Sequence, residues 1–543
     1  FGSCIGCNLI YSGNHYEALE KDSYGKIRFV SGINPRSFSW ELTPEAHFDT
    51  PEAVLSYSSK GYGRLSRQLH SFIREHIVRG AWKRRPRSVL LNSWEACYFK
   101  IDEKKLLQLA KAGADVGIEL FVMDDGWFAG RNDDTSSLGD WEPDPKKLPG
   151  GIASLSKKIK ALGVDFGLWV EPEMISENSR LYREHPDWAM TIPGHPHSEG
   201  RNQRLLDLCN PEVQQYVIDS MTKVFSSGDI RYVKWDMNRN FSDIYSPYLP
   251  AAKQGETAHR YVLGLYHIMD ELTTRFPEIL FEGCSSGGNR FDLGILSYFP
   301  QIWASDNTDA LCRTGIQNSY SYGYPLSVFT AHVSSCPNHQ TLRITPLETR
   351  FQVASFGVLG YECNLKDLSG SDLNAIREQI ALYKKWRDVF QFGTFYRGTE
   401  NEDSDSETLS WICVSPDGRR AVGLFFRRLA VPNHSHDWYR PMGLLPDVKY
   451  HFYGRNIKYN LKDFGDLVNT VSPVHIKQGS ALQEILSRFV NMDGEKEDLT
   501  AYGDTLMRAG IALKPAFAGT GYNSDTRLFP DFSSRIYFME AVE

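Results

Sequence analysis

The sequence predicts an α/β protein, in which a (β/α)8 TIM barrel is followed by an antiparallel β-sandwich domain and preceded by a shorter β-rich region. Three observations support this prediction. The middle of the chain alternates short apolar runs with amphipathic helices, and its two flanks carry short β-type runs separated by turn residues. The length of 543 residues also exceeds one ordinary domain of roughly 150 residues.

The N-terminal region, residues 1–60, has the pattern of β-structure. Runs such as Gly6–Ser12 and Lys26–Ser31 are rich in β-forming residues and are bounded by Asn, Gly and Pro. Residues 61–87 follow as a helical linker, because apolar residues recur there near helical spacing. The linker closes with the basic run Lys83–Arg87, which predicts a solvated segment.

Residues 88–385 are predicted to form the barrel. Apolar strands that alternate with helices are typical of a parallel sheet covered on both faces, and eight such units favour a closed barrel over a doubly wound open sheet. The clearest helices are Glu103–Val116, Ile152–Leu162, Pro211–Phe225 and Ala258–Phe276. The predicted strands are Val89–Ser93, Leu120–Met123, Asp165–Val170, Tyr232–Trp235, Ile279–Glu282, Ile302–Ser305, Leu326–Ala331 and Gly357–Glu362.

Residues 386–543 are predicted to form the C-terminal β-sandwich, because helical patterns end near Leu382 and strand-like runs return. The acidic stretch Thr399–Glu407 has the composition of an exposed turn. The predicted strands are Thr408–Val414, Ala421–Arg427, Lys449–Tyr453, Ala481–Leu486 and Arg535–Met539.

Composition excludes several classes of function. A net charge of −7 argues against sequence-independent nucleic-acid binding, and no apolar run is long enough for a membrane helix. The nine cysteines are odd in number and scattered, which is not a disulfide framework and favours a cytoplasmic location. Cys4 and Cys7 form a single Cys-x-x-Cys pair, which without a second pair does not predict zinc.

The predicted barrel strands end in carboxylates and tryptophans. In this fold the chemistry lies at the C-terminal ends of the strands, and one Asp there commonly caps the next helix. Five such strand ends in succession are harder to explain as caps. Carboxylates accept hydrogen bonds from vicinal hydroxyls, and tryptophan faces pack against sugar rings, so the pattern favours a neutral, polyhydroxylated substrate.

Asp236 and Asp306 are the best pair for glycoside hydrolysis, which needs one ionised and one protonated carboxyl group. Lys234 lies two residues before Asp236 and favours its ionised form. Trp303 and Asp309 lie close to Asp306, and apolar contact with like charge would raise its pKa, as a general acid requires.

Other uses of these residues have weaker support. Asp124, Asp125, Glu171 and Glu173 have ligand types suited to Mg²⁺ or Ca²⁺, but no His-x-x-x-His or EF-type spacing accompanies them. His195 and His197 lie in a Pro/Gly-rich segment that favours a surface loop over a metal site. The Gly-rich Cys284–Arg290 segment lacks a following Lys-Ser/Thr, so it is not a phosphate loop. We therefore predict neither a metal nor a cofactor.

At these residues the chain resembles the α-galactosidases of glycoside hydrolase family 36. The order and spacing of the motifs agree across about 300 residues, and the β regions on both sides also fit. The motifs that carry the resemblance are Asp124–Phe128, Trp169–Met174, Lys234–Arg239, Cys284–Gly288 and Trp303–Asp309.

The resemblance implies a retaining mechanism, with Asp236 as nucleophile and Asp306 as acid/base. It implies that the substrate is terminal α-1,6-linked galactose, as in melibiose and raffinose. The remaining positions would bind that sugar. Asp124 and Asp125 would hold its 4- and 6-hydroxyls, and Trp94 and Trp169 would form aromatic walls. Lys234 and Arg201 would contact ring hydroxyls, Cys284, Ser286 and Gly287 would surround the 2-hydroxyl, and Trp303 would also bind the substrate.

The chain departs from the family pattern in two places. Relatives carry a large N-terminal β-domain that helps to build a homo-oligomer, a tetramer in the family, and only its last part is expected here. The 2-hydroxyl loop after Cys284 lacks a common glycine, and Ala310–Ile316 also differs from the usual form. The alternatives left open are an α-N-acetylgalactosaminidase, a galactosyl transferase of the raffinose synthase type and a sugar-binding protein with a decayed site.

Overall fold

The computed structural model describes residues 2–398, 407–431, 436–470, 472–517 and 525–542. The chain forms two compact units. The first comprises Phe1–Arg343 and Ala354–Lys385, and the second comprises Ile344–Val353 and Trp386–Glu543. The N-terminal β region and the helical linker therefore belong to the same compact unit as the barrel. Residues 399–406 of the predicted acidic turn lie outside the described residues.

Two antiparallel pairs of strands form the N-terminal region. Strand β1 (Cys4–Ile10) pairs with β4 (Glu52–Ser58), and β2 (His15–Lys21) pairs with β3 (Ile27–Ile33). Helix α1 (Gly61–Phe72) follows and continues into a π-helical turn, Ile73–Ile77. Leu65, Leu69 and Ile73 are buried on one face of this helical segment, as its apolar spacing predicts.

The barrel prediction is confirmed. Eight parallel strands close in the order β5-β6-β7-β10-β11-β12-β13-β14, all within residues 90–362. Their side chains are buried along almost the whole of each strand, as expected for a sheet covered on both faces. The barrel strands are β5 (Leu90–Asn92), β6 (Leu120–Met123), β7 (Asp165–Val170), β10 (Ile230–Trp235), β11 (Leu280–Gly283), β12 (Gln301–Trp303), β13 (Phe329–Ser334) and β14 (Val358–Glu362), and β8 (Met174–Ile175) pairs with β9 (Arg204–Leu205) in a loop.

Helices cover the barrel between these strands. Several begin at a side-chain cap, including Asp102 before α3 and Asn210 before α6, each of which accepts a backbone N–H of the first turn. The helices are α2 (Trp94–Cys97), α3 (Glu103–Val116), α4 (Gly151–Lys160), α5 (Arg180–Glu184), α6 (Pro211–Phe225), α7 (Thr257–Arg275), α8 (Leu293–Leu296) and α9 (Ala310–Tyr320). Helix α11 (Gly370–Phe392) begins in the first unit and ends in the second, and α10 (Leu347–Ser355) belongs mostly to the second.

The predicted seventh strand was placed too early in the chain. Leu326–Val328 form a 3-10 turn in which the Val328 N–H donates to the Pro325 carbonyl, so the strand begins only at Phe329. Pro325 presets the backbone for that turn and delays the extended segment. The strand then continues to Ser334, and the loop at the C-terminal end of the barrel follows it.

The basic run was also only partly predicted. Lys83, Arg84 and Arg85 are at least partly exposed, whereas Arg87 is buried beneath the barrel. The Arg87 guanidinium donates to the carbonyls of Trp82 and Arg85, each at 2.6 Å. A planar group with five donors can satisfy carbonyls in this way, which explains how a charged side chain is tolerated there.

The C-terminal unit is built on one six-stranded antiparallel sheet, ordered β15-β16-β17-β24-β19-β22. Aromatic and aliphatic side chains from this sheet, such as Phe425, Phe452 and Tyr537, form its core with Tyr439 of the β18–β23 pair. The strands are β15 (Thr394–Arg397), β16 (Thr408–Val414), β17 (Arg420–Arg427), β18 (Trp438–Tyr439), β19 (Lys449–Gly454), β20 (Lys458–Asn460), β21 (Asn491–Asp493), β22 (Asp498–Tyr502), β23 (Ile511–Ala512) and β24 (Ser533–Ala541).

One predicted strand of this unit is a helix. Ala481–Leu486 belongs to α12 (Ala481–Phe489), and α13 (Gly503–Arg508) follows later. The Ser480 hydroxyl accepts the Gln483 N–H at 3.2 Å and starts α12 as an N-cap. Helices therefore do not stop near Leu382, and α11 itself continues to Phe392.

Two further properties concern membrane-spanning helices and the cysteines. Among the described residues, no helix combines the length and apolar character needed to cross a bilayer. All nine cysteines lie in the described ranges and are free thiols.

Candidate active site

A cavity of about 150 Å³ opens at the C-terminal ends of the barrel strands. It contains every strand-end carboxylate that was predicted to bind sugar or act in catalysis. The predicted residues that line it are Trp94, Asp124, Asp125, Trp169, Arg201, Lys234, Asp236, Trp303 and Asp306, joined by Glu95, Asn238, Thr308, His339, Gln340 and Glu362.

Asp236 follows strand β10 and is held by several donors. Its Oδ2 accepts the Trp169 Nε1–H at 3.1 Å and the Asn238 amide at 2.8 Å, and its Oδ1 accepts the Met237 N–H at 2.8 Å. Burial alone would raise the pKa of Asp236, but the Lys234 charge and the donors, Cys284 included, lower it below its usual value. The carboxylate is therefore ionised and fixed in orientation, as a nucleophile must be.

Asp306 follows strand β12 and has the opposite character. Burial, together with the negative charge of Asp236, raises the pKa of the Asp306 carboxyl. Trp303 donates its indole N–H to Asp306 Oδ1 at 2.8 Å and opposes this shift. Asp309, expected to add like charge, instead caps α9 and binds Arg343, so the repulsion comes from Asp236.

Lys234 and the adjacent pair Asp124 and Asp125 form the buried polar wall of the cavity. The Lys234 ammonium donates to Asp124 Oδ2 at 3.1 Å, and the Asn92 amide donates to the same oxygen at 2.7 Å. Arg131 holds Asp125 through both carboxylate oxygens, with Nη2 2.8 Å from Oδ2. Each of these two neighbouring carboxylates thus has its own cation, although burial raises the pKa of Asp125.

Cys284, Ser286 and Gly287 follow strand β11, near Asp236 and Asp306. Cys284 is buried against Asp236, and burial raises the pKa of its thiol well above the usual value, so it remains a neutral donor. Ser286 donates its hydroxyl to Asn238 Oδ1 at 3.1 Å. A Cβ at Gly287 would lie 2.9 Å from the Asp306 backbone nitrogen, so this position needs glycine.

The predicted aromatic walls differ in exposure. Trp169 and Trp303 are buried, whereas Trp94 is partly exposed and contacts Tyr98 and Phe99 edge to face. Arg201 reaches the cavity from an exposed loop, with a left-handed backbone at φ 54°. Trp94, Trp169, Trp303 and Arg201 therefore line one cavity, with the more exposed ones at its mouth, whereas Ser286 lines a neighbouring cavity.

Sequence reasoning missed two carboxylates of the cavity, Glu95 and Glu362. Glu362 ends strand β14 and accepts the His332 Nδ1–H at 2.8 Å, which lowers the pKa of its carboxyl although burial opposes the shift. Burial and the charge of Glu362 raise the pKa of Glu95 to about 8. The strand-end position was a signal for both, but nothing in the sequence marked His339 or Gln340.

The alternative metal reading is not supported by contacts. Glu171 accepts the Gln203 amide at 3.1 Å, and burial with the Asp236 charge raises its pKa to about 8. Glu173 is bound by Arg290, whose Nη2 lies 2.8 Å from Oε1. Within the described ranges, no group of three or more His, Cys, Asp or Glu side chains is arranged to hold a metal ion.

A closed parallel barrel that holds Asp236, whose pKa is lowered, and Asp306, whose pKa is raised, in one strand-end pocket defines a (β/α)8-barrel protein with a pocket where this fold carries its chemistry. Family models narrow this class. The Melibiase model matches residues 47–393, and the N-terminal and C-terminal domain models of glycosyl hydrolase family 36 match 1–43 and 408–539. The chain therefore belongs to glycoside hydrolase family 36.

Individual relatives support the same placement. The chain is 46% identical over 456 residues to "Alpha-galactosidase AgaA" of Geobacillus stearothermophilus, covering 84% of this chain and 62% of the relative. It is 46% identical over 449 residues to "Alpha-galactosidase Mel36A" of Lactobacillus acidophilus, covering 83% and 61%. The chain thus spans about three fifths of the length of these curated relatives.

A solved structure agrees across the whole chain. A variant of alpha-galactosidase AgaA, crystallised in complex with raffinose, has a TM-score of 0.86 and 42% identity. The match covers 100% of this chain and 67% of that structure. The alpha-galactosidase of Lactobacillus brevis has a TM-score of 0.88 at 40% identity.

Proposed function

We propose that this chain carries a retaining α-galactosidase activity, which releases terminal non-reducing α-galactose from α-1,6-linked substrates such as melibiose and raffinose. Family membership and the names of the relatives support the substrate class. The observation that carries the proposal is the opposed state of two carboxyls in one pocket, since Asp236 is held ionised while the pKa of Asp306 is raised. Glycoside hydrolysis by double displacement needs this division of roles.

In the first step an Asp236 carboxylate oxygen attacks C1 of galactose. The bond from C1 to the glycosidic oxygen breaks, and the Asp306 carboxyl gives its proton to that oxygen. Trp169 and Asn238 keep the attacking Asp236 carboxylate in place, because both donate to its Oδ2. The product of this step is a galactosyl ester on Asp236, and the departing sugar leaves as a neutral alcohol.

In the second step Asp306, now ionised, takes a proton from a water molecule. The water oxygen attacks C1, the ester bond to Asp236 breaks, and galactose leaves with its α-configuration restored. Both carboxyls return to their starting states, so the cycle needs only water besides the substrate.

The buried wall would recognise the galactose ring. Asp124 retains acceptor capacity beside the Lys234 ammonium, a pairing suited to vicinal hydroxyls that must both donate and accept. The neutral Cys284 thiol lies next to Asp236 and would face the 2-hydroxyl. Homo-oligomer formation and a cytoplasmic location stay predictions.

The test is the hydrolysis of a nitrophenyl α-galactoside by this chain and by its Asp236→Ala variant. The variant should lose activity by about four orders of magnitude or more, because alanine has no carboxylate that could attack C1 and form the ester. Asp229→Ala is the matched control: this half-exposed residue precedes the same strand at its other end, and its variant should keep full activity.

Three results would contradict the proposal. Near-normal turnover by the Asp236→Ala variant would remove the nucleophile assignment. Galactose binding by the unmodified chain without any hydrolysis would make it a sugar-binding protein. Faster cleavage of the N-acetylated analogue than of the galactoside would instead identify an α-N-acetylgalactosaminidase.

A further inference from the structure

The loop after strand β13 places two side chains in the cavity that the proposed mechanism does not use. His339 and Gln340 line the cavity together with the catalytic carboxylates, and both are exposed at its mouth. They belong to residues 335–341, which we call the rim loop. The rim loop directly follows β13, which ends at Ser334.

The rim loop is anchored to the segment that carries Asp306. The Asn338 amide donates to Thr308 Oγ1 at 3.0 Å, and Thr308 in turn donates to Glu95 Oε1 at 3.3 Å. His339 Nδ1 lies 3.1 Å from the same Glu95 oxygen. The loop is therefore fixed on the acid/base side of the cavity, where the bond to the leaving group must lie.

The cavity has a buried base and an exposed mouth. Asp124, Asp125 and Asp236 at the base are buried, whereas His339 and Gln340 of the rim loop are exposed. Its volume of about 150 Å³ is below the roughly 300–1,000 Å³ of sites that enclose larger ligands. One sugar ring held at the base would fill it, so the sugar attached through the scissile bond must lie at the mouth.

We propose that His339 and Gln340 form the binding site for the leaving sugar and select substrates with a hexose in that position. This inference rests on the proposed function. An imidazole and a primary amide each offer a donor and an acceptor, which suits the hydroxyls of a neutral sugar. Glu95 engages Nδ1 of His339, so the opposite edge of the ring, with Nε2, is the edge presented to a ligand.

The test measures how a galactosyl-enzyme divides between two acceptors. α-Galactosyl fluoride is the donor: fluoride leaves as Asp236 forms the ester, without a leaving sugar. The ester is then cleaved either by water or by a hydroxyl of added glucose, and in both routes the acceptor proton passes to Asp306. The ratio of transfer product to free galactose therefore reports acceptor binding and is insensitive to changes in acid strength.

His339→Ala and Gln340→Ala should each lower this ratio about three- to tenfold at fixed glucose, the effect of losing one or two hydrogen bonds. Hydrolysis of the fluoride without glucose should stay within twofold of the unmodified enzyme. His76→Ala and Gln215→Ala, two exposed positions outside the cavity lining, are the matched controls and should leave the ratio unchanged.

The outcomes separate the two proposals. An unchanged ratio in both rim-loop variants would overturn the leaving-sugar site while leaving the hydrolase intact. An equal loss of fluoride hydrolysis and transfer would also overturn it, because it would assign the residues to the galactose end. No turnover of α-galactosyl fluoride by the unmodified chain would refute the proposed function itself.

Discussion

The two ends of the barrel differ in a way that cavity size does not reveal. A cavity of about 300 Å³ lies at the N-terminal ends of the strands, between Trp82, Arg85, Arg231 and Glu278. The cavity that contains Asp236 and Asp306 has about half that volume. A third cavity, of about 520 Å³ beside Met237 and Ser285, is larger than both, so volume does not single out the carboxylate pocket at the C-terminal ends, where TIM barrels carry their chemistry.

The state of the charges distinguishes the ends. At the N-terminal end Arg85 pairs with Glu278 at 2.9 Å, but their side chains are 48% and 62% exposed. At the C-terminal end Arg131 pairs with Asp125 at 2.8 Å, and their side chains are 0% and 6% exposed. Buried charges shift one another's pKa values and solvated ones do so only weakly, so desolvated carboxylates indicate function better than empty volume.

Among the substitutions that test this difference between the two ends, one at Asp306 should have the largest effect on activity. The Asp306→Asn variant should lower kcat/KM for melibiose by about 10³-fold, because an amide cannot protonate the leaving sugar. The kcat/KM for α-galactosyl fluoride should fall far less, because fluoride leaves without a proton. Steady-state kinetics on the two substrates measures both values.

Asp165 supplies the matched control for Asp306, because it begins strand β7 at the opposite end of the barrel and pairs there with Lys160 at the surface. The Asp165→Asn variant should keep the kinetics of the unmodified chain on both substrates. A loss comparable to that of Asp306→Asn would mean that the N-terminal end also takes part in the reaction.

A second comparison uses the two ion pairs. Arg131→Met should lower the free energy of unfolding by about 3 kcal/mol or more, since it leaves the Asp125 carboxylate buried without its cation. Arg85→Met should lower it by less than about 1 kcal/mol, since its pair is in solvent. Urea titrations of both variants measure the difference, and equal losses would show that burial does not separate the two pairs.

The fold was predictable where the pattern was strong. Strand β6 and helices α3 and α6 have the bounds that apolar periodicity indicates, because each is long or buried enough for one period to dominate. Ala481–Leu486 was mistaken for a strand, since a short apolar run fits either period and the Ser480 cap decided it. Arg87 was misassigned because its burial depends on carbonyls distant in sequence, such as that of Pro300.

The residues of the candidate site were likewise predictable only in part. Strand ends converge at one level in any barrel, so the carboxylates after β6, β10 and β12 could be brought together from sequence. Sequence reasoning predicted correctly that the pKa of Asp306 is raised, but one of its two causes, like charge from Asp309, was wrong. The Asp309 side chain is instead bound by Arg343 and Thr341, which could not be read from the sequence. His339 and Gln340 could not be found, since loop residues reach a cavity only through tertiary contacts.

The smallest expected effect tests how Trp303 tunes the acid. Its indole N–H hydrogen-bonds the ionised form of Asp306 and so lowers the pKa of that carboxyl. In Trp303→Phe this donor is lost, the pKa of Asp306 rises further, and the basic limb of the kcat/KM profile for melibiose should move to higher pH by up to about one unit. Trp82→Phe, at the cavity of the N-terminal end, is the control and should leave the profile in place. A basic limb that moves to lower pH in Trp303→Phe, or moves equally in both variants, would contradict the assignment of Asp306 as the group that must be protonated.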